Sequence, residues 1–333
     1  MKVSVIIVNW NSREYVANCL ESLRASKSRA TLQIIVVDAA SFDGVAELLT
    51  AQFPEILFIQ STHNLGFGRS NNLAIPHING DLVLLLNPDT VVSPEALDHL
   101  IHAFESSDLA GIIAPKLLNS DCTLQSSCVR ALPTPLNRAF DSDWLRRLLP
   151  NLALFGTAQA FSSSRIVEVE AVSGACMLMP KDLFIELQGF HPLYFMYGED
   201  MDLCARTRKL GYKILHCPQA TVIHHGGGST GRQPKKTSVQ MMRTSWYLYF
   251  ALNSSASTAT IYRTLQLLSA IIRIPFLLIG SCFQRSKRSA LLKWLWVLQW
   301  SLTYRYKPCR VKDDLLRHLP FEAQSTAKQT PPR

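Results

Sequence analysis

Three polar clusters in this chain each stand directly behind a short apolar run. Asn9-Trp10-Asn11 follows Val3 to Val8, Asp38 follows Ile34 to Val37, and Asn87-Pro88-Asp89 follows Leu82 to Leu86. Short continuous runs of Val, Ile and Leu read as parallel strands buried on both faces. The polar residues then lie past the carboxyl ends of three strands, the edge of an open α/β sheet where ligands bind. Asp89 is the first candidate for chemistry. A carboxylate there can hold a divalent cation against a diphosphate, and oxygen ligands suit magnesium or manganese. The same segment, Asn87 to Thr90, also has the composition of an ordinary turn. Glu199 and Asp200 are the second candidate, two acids at the start of a predicted helix behind Phe195-Met196-Tyr197-Gly198. Acids are common partners of the helix dipole there. A general base needs the charged carboxylate that this position favours. His224 and His225 are third, followed by Gly226-Gly227-Gly228-Ser229. A histidine at a strand end beside a glycine loop can ligate metal while the loop approaches phosphate. Adjacent histidines also serve purely structural ends, and these glycines lack the Lys-Ser/Thr of a P-loop.

The elements that must position these residues alternate. Ser12 is placed to cap a helix to about Ala25, and Asp43-Gly44 to open a second. A strand follows near Ile56 to Ile59, and Asn64 to Gly68 leads into a helix through Ala74. Ser93-Pro94-Glu95 reads as a helix start, with Ser as N-cap and Pro in the first turn. Gly111 to Ala114 and Val167 to Met179 read as strands. Glu199 to Leu210 reads as a helix closed by Gly211, on which Asp202 and Arg206 are spaced to pair. Repeated β-α units imply a mostly parallel, Rossmann-like sheet flanked by helices. Residues 120–165 are irregular, the place for a lid or an acceptor loop.

The chain has 333 residues and a net charge of +9. From Arg232 onward there are 17 Lys or Arg against three Asp or Glu, so this part carries +14 and the rest −5. Such asymmetry points to an anionic partner for the tail. Ile274 to Gln284 and Trp294 to Tyr304 are apolar runs bounded by basic residues, each too short to span a bilayer. With Lys287, Arg288, Trp294, Trp296 and Trp300 they suit an interfacial helix on anionic lipid. The competing expectation is a helical subdomain whose tryptophans pack on the core. The opening apolar run stops at Asn9, too short for a signal peptide. No nucleic-acid module is present. The eight cysteines form no CxxC pair, as expected for buried, reduced thiols.

Taken in order, VSVIIVNWN, IIVVD, HNLGFGRSNN, LLLNPDT, VSGACMLMP, GFHPLYFMYGEDMDLCAR and VIHHGGGST resemble family 2 of the inverting glycosyltransferases, which have the GT-A fold, and among them bacterial rhamnosyltransferases. The resemblance covers about Val3 to Ser229. It implies Asn9, Asn11, Asp38, Asn71 and Asn87 on the nucleotide-sugar side. It implies Asp89 as the metal residue of a DxD-type motif, with His224 near the metal and diphosphate. Asp200 becomes the base, and Glu199 and Gly174 lie beside sugar or acceptor. The expected cofactor is Mn2+ or Mg2+. The expected reaction moves a sugar, rhamnose from dTDP-rhamnose by closest resemblance or alternatively the sugar of another nucleotide sugar such as a UDP-sugar, onto a glycan or lipid-linked acceptor at the inner face of the cytoplasmic membrane. Residues 1–119 would form the donor half, 120–235 the acceptor half, and 236–333 a basic, helical, membrane-associated segment. The sequence departs from the family pattern at Asn87, where an acid is usual, at Ala39-Ala40 after Asp38, and at Arg69-Ser70. A nicotinamide dehydrogenase would need GxGxxG in the first turn, which is absent. A nucleotidyltransferase would need a Gly/Arg/Lys-rich first loop, also absent. A non-catalytic nucleotide-sugar-binding protein would have no use for a base such as Asp200.

Overall fold

The structure, a computed structural model, describes residues 1–139, 163–226 and 235–305. The apolar runs form the strands they predict. β1 (Lys2–Asn9), β2 (Thr31–Asp38), β3 (Leu57–Gln60) and β4 (Leu82–Leu86) lie parallel in the order β3-β2-β1-β4. Their register is fixed by burial on both faces: Val5, Ile6 and Ile7 of β1 are fully enclosed, and so are Ile35, Val36 and Val37 of β2. Between them run α1 (Arg13–Arg24), α2 (Val45–Gln52) and α3 (Phe67–Asn72). Ser12 precedes α1, but its hydroxyl bonds the Trp10 carbonyl; the helix start is held instead by Asp43, whose carboxylate accepts the Arg13 amide.

Past β4 the sheet continues with β5 (Thr90–Val92), α4 (Ala96–Glu105) and β6 (Ala110–Leu118). The helix begins later than Ser93-Pro94 predicts, because those residues form a turn closed by the Ala96 amide on the Ser93 carbonyl. β7 (Val129–Arg130) and α5 (Pro135–Ala139) follow. The single strand expected over 167–179 is three pieces: β8 (Val167–Val169), β9 (Ala171–Val172) and β10 (Cys176–Pro180). The break lies at Ser173-Gly174-Ala175, where the chain bends around Asp200. α6 (Lys181–Glu186), α7 (Glu199–Lys209) and β11 (Lys213–His224) complete the domain. The full order is β3-β2-β1-β4-β10-β6-β11-β5, with β8 also on β11. β10 runs antiparallel to both neighbours, so the sheet is mixed. β5 pairs antiparallel with the end of β11, setting Thr90 opposite His224.

Asp202 and Arg206 form the expected ion pair at 2.7 Å. Asp202 is buried and also accepts from Asn253, while Arg206 donates to the carbonyls of Leu187 and Gly189. The pair thus ties α7 to the preceding turn and to α8 (Lys236–Asn253). Five cysteines (19, 128, 176, 204 and 217) are buried and free. Burial pushes the Cys19 thiol up to about 12, so it stays protonated at neutral pH.

The C-terminal segment is helical but differs from the expected two short runs. α9 (Ala256–Phe283) continues through Arg273, and α10 (Arg285–Thr303) through Lys293. By length and composition α9 could cross a membrane, with mean hydropathy 1.8 over its most apolar stretch. One face of it is docked, however: Ala259, Tyr262, Gln266 and Ala270 are buried, and Gln266 donates to the Arg138 carbonyl. The tryptophans do not face outward as an interfacial helix requires. Trp294 and Trp300 are buried, Trp296 packs beside them, and Trp300 donates its indole N–H to Thr244. A large indole gains more by filling the space between helices than by staying wet.

Candidate active site

The ends of β1, β2 and β3 carry Asn9, Asp38 and Gln60 in one lateral row. Asp38 is 1% exposed, and a buried carboxylate must be compensated by donors. Asn9 Nδ2 and Gln60 Nε2 supply two at 2.7 Å, and the Ser41 amide a third at 2.9 Å. Asn9 Oδ1 accepts the Ser12 amide, and Asn11 Oδ1 accepts the Phe42 amide. These side chains are therefore occupied in shaping two loops. The surface they present consists of Val8, Trp10, Ser12 and Ala39. Asn9, Asn11 and Asp38 themselves are not among the residues that line the cleft; they hold the loops that do. Ala40 sits at φ +59° in that turn, a strained position for a residue with a Cβ. Asn71 is also absent from the cleft: it is buried, and its amide donates to the Phe67 carbonyl of its own helix. α3 instead delivers Phe67, and Gly66 at φ +78° lets the loop touch the Phe195 backbone.

The opposite wall is the β4–β5 turn. Asn87, Pro88 and Asp89 line the cleft together with His224. His224 Nε2 lies 3.3 Å from Asp89 Oδ1 and 3.3 Å from Asn87 Nδ2. Its Nδ1 lies 2.7 Å from Gln125 Oε1. The Gln125 amide is oriented by its own donors, since Nε2 reaches Asn119 Oδ1 and the His224 carbonyl. Oε1 must then accept, so Nδ1 carries a hydrogen, which leaves Nε2 as the nitrogen that can present a lone pair beside Asp89 to a metal. A carboxylate oxygen and an imidazole lone pair converging in this way fit a divalent cation. Among the described residues no third His, Cys, Asp or Glu joins them. Phosphate oxygens and water would complete a coordination shell there. Gln125 was not a sequence candidate. It lies in irregular chain, and only the fold brings it to His224. His225 turns away from the cleft, bonding Ser120 and packing its ring against Tyr15.

The base of the cleft is the start of α7. Tyr197 and Gly198 both adopt positive φ, at +74° and +81°, and this double reversal aims Glu199 and Asp200 into the cleft. Asp200 Oδ2 accepts the Gly174 amide and Oδ1 accepts the Met201 amide. A side chain at Gly174 would press on Asp200, so this glycine positions the acid. Glu199 differs in character. It is buried, and its Oε2 has no partner. Burial, then the adjacent Asp200 charge, pushes its carboxyl up to about 8, so it holds a proton at neutral pH. The two acids thus divide into one that accepts and one that can donate. The cleft between these walls has a volume of about 270 Å³.

A mixed sheet of this kind, flanked by helices, has counterparts among known proteins. Residues 1–247 match the family described as glycosyltransferase-like family 2. The chain belongs to that family. The glycosyltransferase is 26% identical to the N-acetylglucosaminyl-diphospho-decaprenol L-rhamnosyltransferase of Mycobacterium tuberculosis over 302 residues, 86% of this chain and 96% of that one. It is 27% identical to the rhamnosyltransferase WbbL of Escherichia coli, over 67% of this chain and 83% of that one. Among solved structures, the mannosyltransferase of Pyrobaculum calidifontis in complex with GDP-mannose and Mn2+ aligns with a TM-score of 0.51 at 14% identity, over 90% of this chain and 86% of that one. GalNAc-T7 with UDP, GalNAc and Mn2+ aligns with a TM-score of 0.53 at 15% identity, over 75% of this chain and 50% of that one. The fold is GT-A.

Two outcomes follow from this geometry. Gln125→Leu removes the acceptor that fixes the His224 tautomer. Mn2+ binding in the presence of nucleoside diphosphate, read by electron paramagnetic resonance, should weaken about tenfold to a hundredfold. Unchanged Mn2+ affinity would remove Gln125 from the site. Glu199 supplies the second outcome. Its carboxyl titrates near 4.5 when unfolded and about 8 when folded. Between those values the folded state binds more protons, so stability falls as pH rises. Glu199→Gln mimics the protonated acid at every pH. Thermal melts from about pH 5 to pH 8 should show a steeper decline for the parent than for this variant. Parallel curves would contradict the assignment.

Proposed function

We propose that this glycosyltransferase moves rhamnose from dTDP-rhamnose, with inversion, onto a lipid-linked saccharide during synthesis of a cell-envelope polysaccharide. The observation that carries the reading is the cleft itself, which Asp200 and the Asp89–His224 pair line together. The printed activities of the Mycobacterium tuberculosis and Escherichia coli relatives support the donor and acceptor class. In this scheme residues 1–119 hold the nucleotide and residues 120–235 the acceptor. The loops shaped by Asn9 and Asp38 receive the nucleoside, with Trp10 as an apolar face. Asp200 takes the proton of the acceptor hydroxyl as that oxygen attacks the anomeric carbon, and the bond to the diphosphate breaks on the opposite side. A single displacement needs no covalent glycosyl-enzyme, so configuration inverts. The protonated Glu199 donates a hydrogen bond to a hydroxyl of the sugar or acceptor. Asp89 and His224 would hold Mn2+ or Mg2+, which when bound neutralises the departing diphosphate.

The C-terminal helices hold the enzyme on the inner face of the cytoplasmic membrane, where a lipid-linked acceptor would be available. Exposed aliphatic and aromatic residues of α9, among them Ile272, Phe276, Ile279 and Phe283, support this placement in the role that the tryptophans do not fill.

A donor screen tests the reading. With dTDP-rhamnose and a polyprenyl-diphosphate saccharide, transfer should exceed that from UDP- and GDP-sugars. Asp200→Asn should lower kcat by about a hundredfold or more with little change in donor affinity. Preferential turnover of a UDP-sugar would replace the donor assignment. Donor binding with no hydrolysis or transfer from any sugar nucleotide would replace the enzyme by a binding protein.

A further inference from the structure

Helices α8, α9 and α10 contain no aspartate or glutamate, yet residues 236–303 hold eight Lys or Arg. Two of these arginines lie inward rather than out in solvent. The Arg273 guanidinium stands 4.4 Å from the centre of the Trp294 indole, and that of Arg243 stands 6.0 Å from the same ring. Arg243 comes from α8, Arg273 from α9 and Trp294 from α10, so all three helices meet here. Arg243 Nε is buried and has no hydrogen-bond partner. Burial, and then the charge of Arg243, lower the Arg273 pKa. Two like charges have been brought around one ring, and among the described residues no acid pairs with either. An indole face attracts a cation, but it provides no strong hydrogen-bond acceptor for the guanidinium N–H groups. What is missing is an anion with several oxygens.

The surroundings say what carries it. Ile272, Phe276, Ile279 and Phe283 recur every three or four residues on α9 and are 62–84% exposed. They form one stripe, which starts beside Arg273. At its far end, on the first turn of α10, Lys287 and Arg288 are exposed. An apolar stripe with cations at both ends matches a leaflet surface, with acyl chains against the stripe and phosphates at its margins. We propose that Arg243, Trp294 and Arg273 form a binding site for the phosphate of an anionic membrane phospholipid. This rests on the membrane placement proposed above. It adds that one lipid phosphate is gripped between helices rather than attracted by diffuse charge.

The site is linked to the cleft through α8. Ser245 on that helix donates to the Met196 carbonyl, and Trp246 packs beside Gly198, in the loop that aims Glu199 and Asp200. A phosphate held by Arg243 would thus be bound one helical turn from residues that brace the catalytic loop.

The experiment compares two double variants that each remove two charges, Arg243→Gln/Arg273→Gln and Lys287→Gln/Arg288→Gln. Binding is measured by flotation with phosphatidylcholine vesicles, plain or containing phosphatidylglycerol, at low and high salt. Unchanged melting temperature and donor hydrolysis serve as folding controls. Exposed charges are worth about 1 kcal/mol each near such a surface, or roughly fivefold in affinity, and salt screens them. The outer pair should therefore lose about 25-fold at low salt and almost nothing at high salt. The inner pair should lose at least about tenfold more, and its loss should persist at high salt. Equal, salt-screened losses for both pairs would overturn the phosphate site and leave the membrane placement standing. A parent protein that floats with neither vesicle would overturn both. Flotation restored only when a polyprenyl phosphate replaces phosphatidylglycerol would overturn the phospholipid assignment in favour of the acceptor lipid.

Discussion

A carboxylate shut away from water cannot be left alone, and Asp38 is the one on which the ligand edge of this protein turns. Its three donors come from the ends of β1 and β3 and from the loop behind β2. Hydrogen bonds to a charged group contribute about 1.5–3 kcal/mol each, and a donor left behind by removing the acceptor costs as much again. The strand ends are therefore fixed laterally as well as along their ladders. Ser41 passes this constraint on by accepting the Asn11 amide, and Asp43 does so by accepting the amide that begins α1. The cleft wall of Val8, Trp10, Ser12 and Ala39 is the outer surface of this network.

The other side of the cleft is built by the opposite device. Glu199 is buried with its Oε2 unpartnered, and burial outweighs the backbone hydrogen bonds that its carboxyl does receive, so the acid is pushed up and keeps its proton. Asp200, one residue on, is less enclosed and receives two backbone amides. The neighbouring carboxyls differ first in how deeply each is buried. The strained Tyr197 and the close approach of Gly174 are the local cost of that separation.

Much of this was legible in the sequence. Buried parallel strands advertise themselves as unbroken apolar runs, and β4 is found at its predicted limits. Asp89, Asp200 and His224 were identified from their places at element ends, and all three line the cleft. What stayed hidden depends on contacts that sequence periodicity does not encode. Gln125 reaches His224 across 99 positions from a stretch without regular structure. Asn9, Asn11 and Asp38 read as polar residues at strand ends; that each is also tied to Gln60, Ser41 or Phe42 is visible only once the fold brings those partners together. The tryptophans of α10 look the same to a pattern reader on a membrane or in a helix interface. Packing against α8 and α9 decides between them. Val167 to Met179 reads as one strand because alternating Val and Glu run on into an apolar stretch, and the bend at Gly174 lies against Asp200, which comes later in the chain.

The pairing of β5 with the end of β11 has a temporal consequence. Asp89 and His224 become neighbours only because Thr90 lies opposite His224, a contact that closes a loop of more than a hundred residues. Contacts of such sequence separation are slow to form and come after local ones. During synthesis β1 to β4 emerge early, and α1 to α3 can dock on them while His224 is still inside the ribosome. The wall that carries the Asp89–His224 pair is thus the last part of the cleft to close, and it closes only when nearly the whole of the sheet has been made.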